Sequence, residues 1–246
     1  VRTLILCVML TASVRAVAAD LDVVARIGPW PAADNLVAYR GSLWFSTAVQ
    51  GRDHNSADIW RFDPKDGALT FERYLFSQGV GQPATHDGLL YWPFKDMRAG
   101  SGDGTVAVTN GRDWRDVDLS VGDTMMHTQS VTEWRCGLVT AMAGWNSALS
   151  QSTDDGATWK VLVNDPPPSG SFHRYNNVVA LGDRLFVRHW KNTGVSLEEW
   201  RDGRMVEVAG WPQGVYFSDP VPFRDALYAI VFAEGGDQLW RIAASG

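Results

Sequence analysis

The sequence predicts an all-β fold, a five-bladed β-propeller whose last blade is closed by an N-terminal strand. Two observations predict it. First, one short phrase recurs five times: a turn with Gly or Asp, then Leu, then an alternating apolar run. The copies are Gly41-Ser42-Leu43-Trp44-Phe45, Gly88-Leu89-Leu90-Tyr91-Trp92, Cys136-Gly137-Leu138-Val139-Thr140, Asp183-Arg184-Leu185-Phe186-Val187 and Asp225-Ala226-Leu227-Tyr228-Ala229. Their leucines, from Leu43 to Leu227, are separated by 47, 48, 47 and 42 residues. A period in the forties with strand-type alternation corresponds to one four-stranded blade per repeat. Second, no segment beyond the N-terminal leader carries a 3.6-residue apolar period, so no helix is expected.

Residues 1–19 read as a secretory signal peptide. Arg2 gives a basic start, residues 4–14 an apolar core, and Val17-Ala18-Ala19 a small-residue cleavage point before Asp20. Residues 20–246 form a single domain. The first segment, residues 21–28, resembles residues 204–210 and is expected to be the outer strand of the last blade. That closure would remove the open edges of a linear array.

Within each unit, strand a precedes the phrase: 35–39, 82–86, 129–134, 177–181 and 220–223. Strand b is the phrase itself. Strand c covers 57–62, 105–109, 148–152, 196–201 and 238–242. Strand d covers 69–74, 114–119, 159–163 and 205–209. These runs are short, rich in β-branched and aromatic residues, and bounded by Gly, Asp, Asn and Pro. Trp60-Arg61, Trp200-Arg201 and Trp240-Arg241 recur at one point of strand c, the mark of side chains that fill the wedge between blades.

Charge narrows the function. Without Arg2 and Arg15, 20 basic residues face 28 acidic ones, a net charge near −8. That argues against nucleic acid and anionic lipid as partners. The apolar leader is too short for a membrane span, which needs about 20 apolar residues. Export removes Cys7 and leaves Cys136 alone, so no internal disulfide is expected. The protein is expected to be secreted or periplasmic and monomeric.

One motif has family character. Ser152-Thr153-Asp154-Asp155-Gly156-Ala157-Thr158-Trp159 fits the pattern Ser-x-Asp-x-Gly-x-Thr-Trp. Its Asp and Ser side chains suit bonds to turn amides, its Gly a turn conformation, and its Trp packing between sheets. A degenerate copy, Thr109-Asn110-Gly111-Arg112-Asp113-Trp114, aligns at a spacing of 45. Here the chain resembles the Asp-box (bacterial neuraminidase repeat) sialidase-like propeller proteins. The resemblance implies the propeller fold and structural roles for Ser152, Asp154, Gly156, Thr158 and Trp159. It does not bring the sialidase catalytic set. Arg26-Ile27-Gly28-Pro29 departs from the family's Arg-Ile-Pro segment, and no Tyr/Glu nucleophile pair is assignable.

In propellers the d–a and b–c loops share one face around the central channel. Here those loops are rich in His, Asn, Arg and Trp. The expected ligand-binding residues are His127, His173, Trp145, Trp190, Arg174, Asn146, Lys95 and Arg98, a polar set with aromatic platforms suited to a glycan or small polar ligand. If the protein is instead a glycoside hydrolase, carboxylates paired around the funnel would do acid and base work, with Asp34, Asp219 and Asp96 as candidates. A third reading is a scaffold that docks proteins. No cofactor is expected. Two thinner readings are a metal shared by His127, His173 and Asp219, and Ca²⁺ held by the oxygen-rich loop Asp53-x-Asn55-x-x-Asp58.

Overall fold

The computed structural model describes residues 23–27, 32–48, 57–75, 77–95, 104–119, 125–167, 171, 173–212 and 214–243. The signal-peptide reading, Asp53, Asn55, Asp96 and Arg98 lie outside these residues. The described chain is all strand and turn, folded into five antiparallel sheets in chain order. The first sheet holds β1 (Ala32–Tyr39), β2 (Ser42–Ala48), β3 (Ala57–Phe62) and β4 (Leu69–Leu75). The second holds β5 (Gly79–Val80), β6 (Ala84–His86), β7 (Leu89–Lys95), β8 (Thr105–Thr109) and β9 (Trp114–Asp118). The third holds β10 (Met125–Trp134), β11 (Gly137–Gly144), β12 (Ser147–Ser152) and β13 (Lys160–Asp165). The fourth holds β14 (His173–Leu181), β15 (Arg184–Lys191), β16 (Gly194–Arg201) and β17 (Arg204–Glu207). The fifth has three strands, β18 (Val221–Phe223), β19 (Ala226–Val231) and β20 (Gln238–Ala243).

The recurring phrase is a hairpin. Asp87 and Gly88 both take positive φ, 45° and 74°, between paired His86 and Leu89. Two positive φ values in a two-residue loop give the type I′ turn, whose twist matches that of the flanking strands. Turn geometry fixes register, and four of the five phrase leucines, Leu90, Leu138, Leu185 and Leu227, are buried while Leu43 is half-buried.

Apolar side chains from facing sheets then build a core at each successive junction. Tyr39, Trp44, Ile59, Leu90 and Trp92 pack the first sheet on the second. Tyr91, Val106, Val131, Leu138 and Met142 pack the second on the third. Trp134, Leu149, Tyr175 and Leu185 pack the third on the fourth. Phe186, Leu197, Trp211, Phe217 and Leu227 pack the fourth on the fifth. Two of the Trp-Arg steps serve these junctions: Trp200 and Trp240 each pack against a core, whereas Trp60 meets its cross-strand neighbour Phe71 edge-on at 5.4 Å within the first sheet.

The Ser152–Trp159 turn forms with the bonds its residues imply. Ser152 Oγ accepts from the Gly156 amide at 2.9 Å, and Asp154 Oδ1 accepts from the Thr158 amide at 2.8 Å. Thr158 Oγ1 donates to Asp154 Oδ2 at 2.6 Å, and Trp159 Nε1 donates to the Gly156 carbonyl at 3.2 Å. The Thr158 hydroxyl and amide, with the Ser152 hydroxyl, pull the Asp154 carboxyl down to about 2. Tyr91 donates to the Asp155 carbonyl at 2.9 Å, tying this turn to the preceding sheet.

One expectation is corrected. Strand a of the second unit is split into β5 and β6. Pro83 lacks the amide a ladder needs, and Gly81 is drawn onto the third sheet instead. Of the expected closing strand, residues 21–28, the structure describes 23–27. Residues 23–27 carry no ladder bonds, and the fifth sheet ends at β20 with Leu239 71% exposed. Residues 24, 25 and 27 line a cavity with Leu43, Phe45 and Phe62 of the first sheet instead.

Candidate functional site

The first strand of each unit runs antiparallel to the second, so its N-terminal end meets the b–c loop. Ala32 pairs with Ala48, Gly79 with Lys95, Met125 with Gly144 and His173 with Lys191. A few residues in from that end the inner strands break their ladder. Register shifts fall between Asp34 and Val37, between Thr128 and Ser130, and between Tyr175 and Asn177. In the second unit the β5–β6 break takes their place. A bulge re-aims a side chain that the regular pleat would bury.

What the bulges re-aim is an amide in nearly every unit. Asn35, Gln82, Gln129, Asn176 and Asn177 line one cavity of about 430 Å³, joined by Asp219 from the fifth unit and by Lys95. All five sheets contribute to it. Neighbouring sheets are stitched at the same level. Asn35 Nδ2 donates to the Val80 carbonyl at 3.0 Å. The Gln82 amide donates to the Gln129 carbonyl, and the Val131 amide to the Gln82 carbonyl, both at 3.0 Å. Asn177 Nδ2 donates to Gln82 Oε1, and the Val178 amide to Ser130 Oγ at 2.9 Å. Arg188 Nε donates to the Phe217 carbonyl at 3.0 Å while its guanidinium lies 3.5 Å from Asp219.

Gly81 makes this stitching feasible. A Cβ there would sit 2.2 Å from the Gln129 carbonyl oxygen, closer than any side chain tolerates. The side-chain oxygens of Asn176 and Asn177 are buried without a partner. Buried acceptors of this kind favour a ligand that donates hydrogen bonds. The lining is thus neutral and amide-rich, able both to donate and to accept, with Lys95 and Asp219 exposed beside it.

Of the expected catalytic carboxylates, Asp96 lies outside the described residues, and Asp34 and Asp219 line different cavities. Asp34 precedes the bulge in β1 and lines the apolar cavity under residues 24–27, whereas Asp219 lines the central one. Asn35, at the bulge, lines both cavities. Among the described residues Asp219 is the one carboxylate lining the central cavity.

The ligand-binding set divides as well. Lys95 lines the central cavity. Trp145 is 72% exposed at the β11–β12 turn, and Asn146 beside it donates to Asn164 at 2.9 Å. Trp190 is not a free platform: it packs against the fourth–fifth core and meets Tyr216 edge-on at 6.3 Å. Arg174 pairs with Trp190 across β14 and β15. His127 is buried on β10 and is not among the described residues whose ligating atoms gather with those of His173. The metal expected between His127, His173 and Asp219 is therefore not supported by their placement. Asp58 of the suspected Ca²⁺ loop is buried on β3, where burial raises its carboxyl pKa.

His173 belongs to a second cavity of about 530 Å³ in the fourth sheet, lined also by Asp165, His189, Lys191 and Glu198. Burial pushes the Glu198 carboxyl up, but His189 Nδ1 at 2.8 Å and Lys191 Nζ at 2.7 Å outweigh it and hold it down at about 2. Burial, then the neighbouring His189, lowers the pKa of His173 below the usual 6.5.

Both shifts act in one direction. As pH falls the unfolded chain takes up these protons before the folded one does. Stability is therefore expected to decline below pH 6.5 through His173 and again from about 4.5 toward 2 through Glu198. Melting temperatures across this range check it. His173→Gln should flatten the upper step and leave the lower one.

Sequence reasoning singled out Lys95, His173 and Asp219, and placed Asn35, Gln82, Gln129 and Asn177 as the first residues of strand a, while Asn176, Asp165, His189 and Glu198 went unnoticed. A signal for the ring was present. Asn35, Gln82, Asn177 and Asp219 each stand eight residues before their phrase leucine, and Gln129 stands nine before.

No family model and no curated protein matches the chain. Solved structures do. A puromycin-hydrolyzing peptidase of Mycobacterium tuberculosis aligns with a TM-score of 0.60 at 16% identity, over 87% of this chain and 36% of that one. A prolyl endopeptidase aligns with a TM-score of 0.57 at 12% identity, over 86% and 34%. The computationally designed protein Ika8 aligns with a TM-score of 0.53 at 15% identity, over 85% and 58%. The chain spans about a third of the two peptidases. At these identities the likeness shows the fold alone. With five successive sheets packed face to face, the chain has a β-propeller-like all-β fold.

Proposed function

We propose that this protein is an exported Asp-box propeller that binds a glycan or another polar extracytoplasmic ligand in the cavity ringed by its inner strands. One observation carries the reading: carboxamides from four successive units, and Asp219 from the fifth, face one cavity. Carboxamides pair donor and acceptor side by side, as sugar hydroxyls do. The exposed Trp145 offers a ring face at the same end of the sheets for stacking. The acidic balance disfavours nucleic acid and membrane surfaces, and no helix among the described residues is long and apolar enough to cross a membrane.

The test is a glycan-array screen of the purified domain, scored for binding and for product release. Binding without product supports the reading. Product release favours a glycoside hydrolase instead. Neither binding nor turnover across the array favours a protein-docking scaffold.

The proposal includes a ring of five blades in which residues 21–28 complete the last one. The open edge of β20 and the exposed Val221, Phe223 and Leu239 of the fifth sheet support this closure. Deleting residues 20–31 is then expected to accelerate amide hydrogen exchange along 238–243. Unchanged exchange would mean that these residues do not cover β20.

A further inference from the structure

We infer that Asp165, His173 and His189 form a binding site for a divalent transition-metal cation of the Zn²⁺ type. The site lies within the fourth sheet and its preceding loop. It stands independently of what the central cavity binds.

The three residues each bring one ligating atom, and these atoms lie within 4.8 Å of one another. His173 and His189 are 7% and 2% exposed. Their partners fix which nitrogen carries hydrogen. The Asp165 backbone carbonyl only accepts, so His173 Nε2, 2.9 Å away, donates to it. The lone pair of His173 is then on Nδ1, 3.8 Å from Asp165 Oδ2. His189 Nδ1 lies 2.8 Å from Glu198 Oε1, a carboxylate that also accepts from Ser196 Oγ at 3.1 Å. His189 Nδ1 donates there, and its lone pair is on Nε2. That Nε2 is buried without a hydrogen-bond partner.

Two imidazole lone pairs and a carboxylate therefore gather, and the one hydrogen directed at that carboxylate oxygen is the Tyr175 hydroxyl's, 3.4 Å from Asp165 Oδ2. Such a set lacks a cation. A metal-binding imidazole characteristically donates its other nitrogen to a carboxylate or backbone carbonyl, and both histidines do so here. Two imidazoles and one carboxylate suit Zn²⁺ and its neighbours rather than Ca²⁺ or Mg²⁺. The adjoining cavity of about 530 Å³ leaves room for water at the remaining coordination position.

The surrounding charge is compatible with a cation. Lys191 is the cation near the cluster, and it is engaged by Glu198 at 2.7 Å and Glu207 at 3.1 Å. Asp165 ends β13 with a side chain 44% exposed, held by one long bond from the Tyr175 hydroxyl at 3.4 Å that a short movement toward a cation would give up.

The test uses protein stripped with chelator and titrated with Zn²⁺ by calorimetry and with Co²⁺ by visible absorption. One equivalent is expected to bind with roughly micromolar or tighter affinity, with a visible d–d band for Co²⁺. His189→Gln and Asp165→Asn should each weaken Zn²⁺ at least about tenfold, while His127→Gln leaves it unchanged. Melting curves of the chelated variants verify folding. If His189→Gln does not fold, Asp165→Asn at the exposed strand end carries the comparison. No stoichiometric binding, or binding indifferent to Asp165→Asn in a folded variant, overturns the site.

Discussion

Replacing Gly81 by Ala is expected to lower the unfolding free energy by about 3 kcal/mol, the upper part of the range for overpacking. The added Cβ would meet backbone, not a side chain that can turn away: the Gln129 carbonyl oxygen at 2.2 Å, its carbon at 2.6 Å and the Thr128 oxygen at 2.8 Å. Relief requires the inner strands of the second and third sheets to separate. That breaks the two bonds joining Gln82 to Gln129 and Val131. The variant should therefore lose ligand binding together with stability, because the same contact sets the spacing of the amide ring. Urea unfolding measures the first effect. A change within about 0.5 kcal/mol, typical of an ordinary surface site, would mean that the two strands do not approach as described.

Tyr91→Ala should cost about 4 kcal/mol, as for other large buried aromatics. Tyr91 is fully buried in the core between the second and third sheets, against Leu138 and Met142. Its hydroxyl also holds the Asp155 carbonyl at 2.9 Å. Tyr91→Phe keeps the packing and removes only that bond. The carbonyl retains Arg115 at 3.0 Å, so Tyr91→Phe should cost about 1 kcal/mol or less. Equal losses in the two variants would place the energy in the hydroxyl contact rather than in the core. Denaturant titration of both variants distinguishes these outcomes.

These effects show how much the sequence discloses. The strands were legible because hairpin turns and apolar alternation are local properties. The structure places β3 and β8 at the predicted residues and the other predicted strands c and d within two residues of them. Strands β1, β10 and β14 begin three or four residues earlier than read, because a bulge interrupts the alternation by which their starts would be recognised.

The same bulges explain the incomplete reading of the site. Gln129 and Asn177 look like ordinary polar positions on strand a until a ladder shift turns that level of the strand toward the cavity. Asp34 looks equivalent to its neighbour Asn35, yet at the bulge only Asn35 also reaches the central cavity. The His189–Glu198 pair joins residues on different strands, and no local pattern marks it. Trp190 broke the register of the architectural tryptophans for a physical reason: it seals the junction with the fifth sheet beside Tyr216. The Ser152–Trp159 turn was fully legible, because each of its bonds closes within a few residues.

The central claim is that the amide-lined cavity is where this protein meets its ligand. Calorimetric titration of the strongest glycan-array ligand into wild type and into Asn176→Ala/Asp219→Ala tests it most directly. Asn176 offers an unpartnered buried oxygen to the cavity, and Asp219 supplies its carboxylate. Losing two hydrogen bonds to the ligand, at about 1 kcal/mol each or somewhat more, predicts affinity weakened roughly 30-fold or more with the fold intact. An affinity unchanged in the folded double variant would contradict the claim.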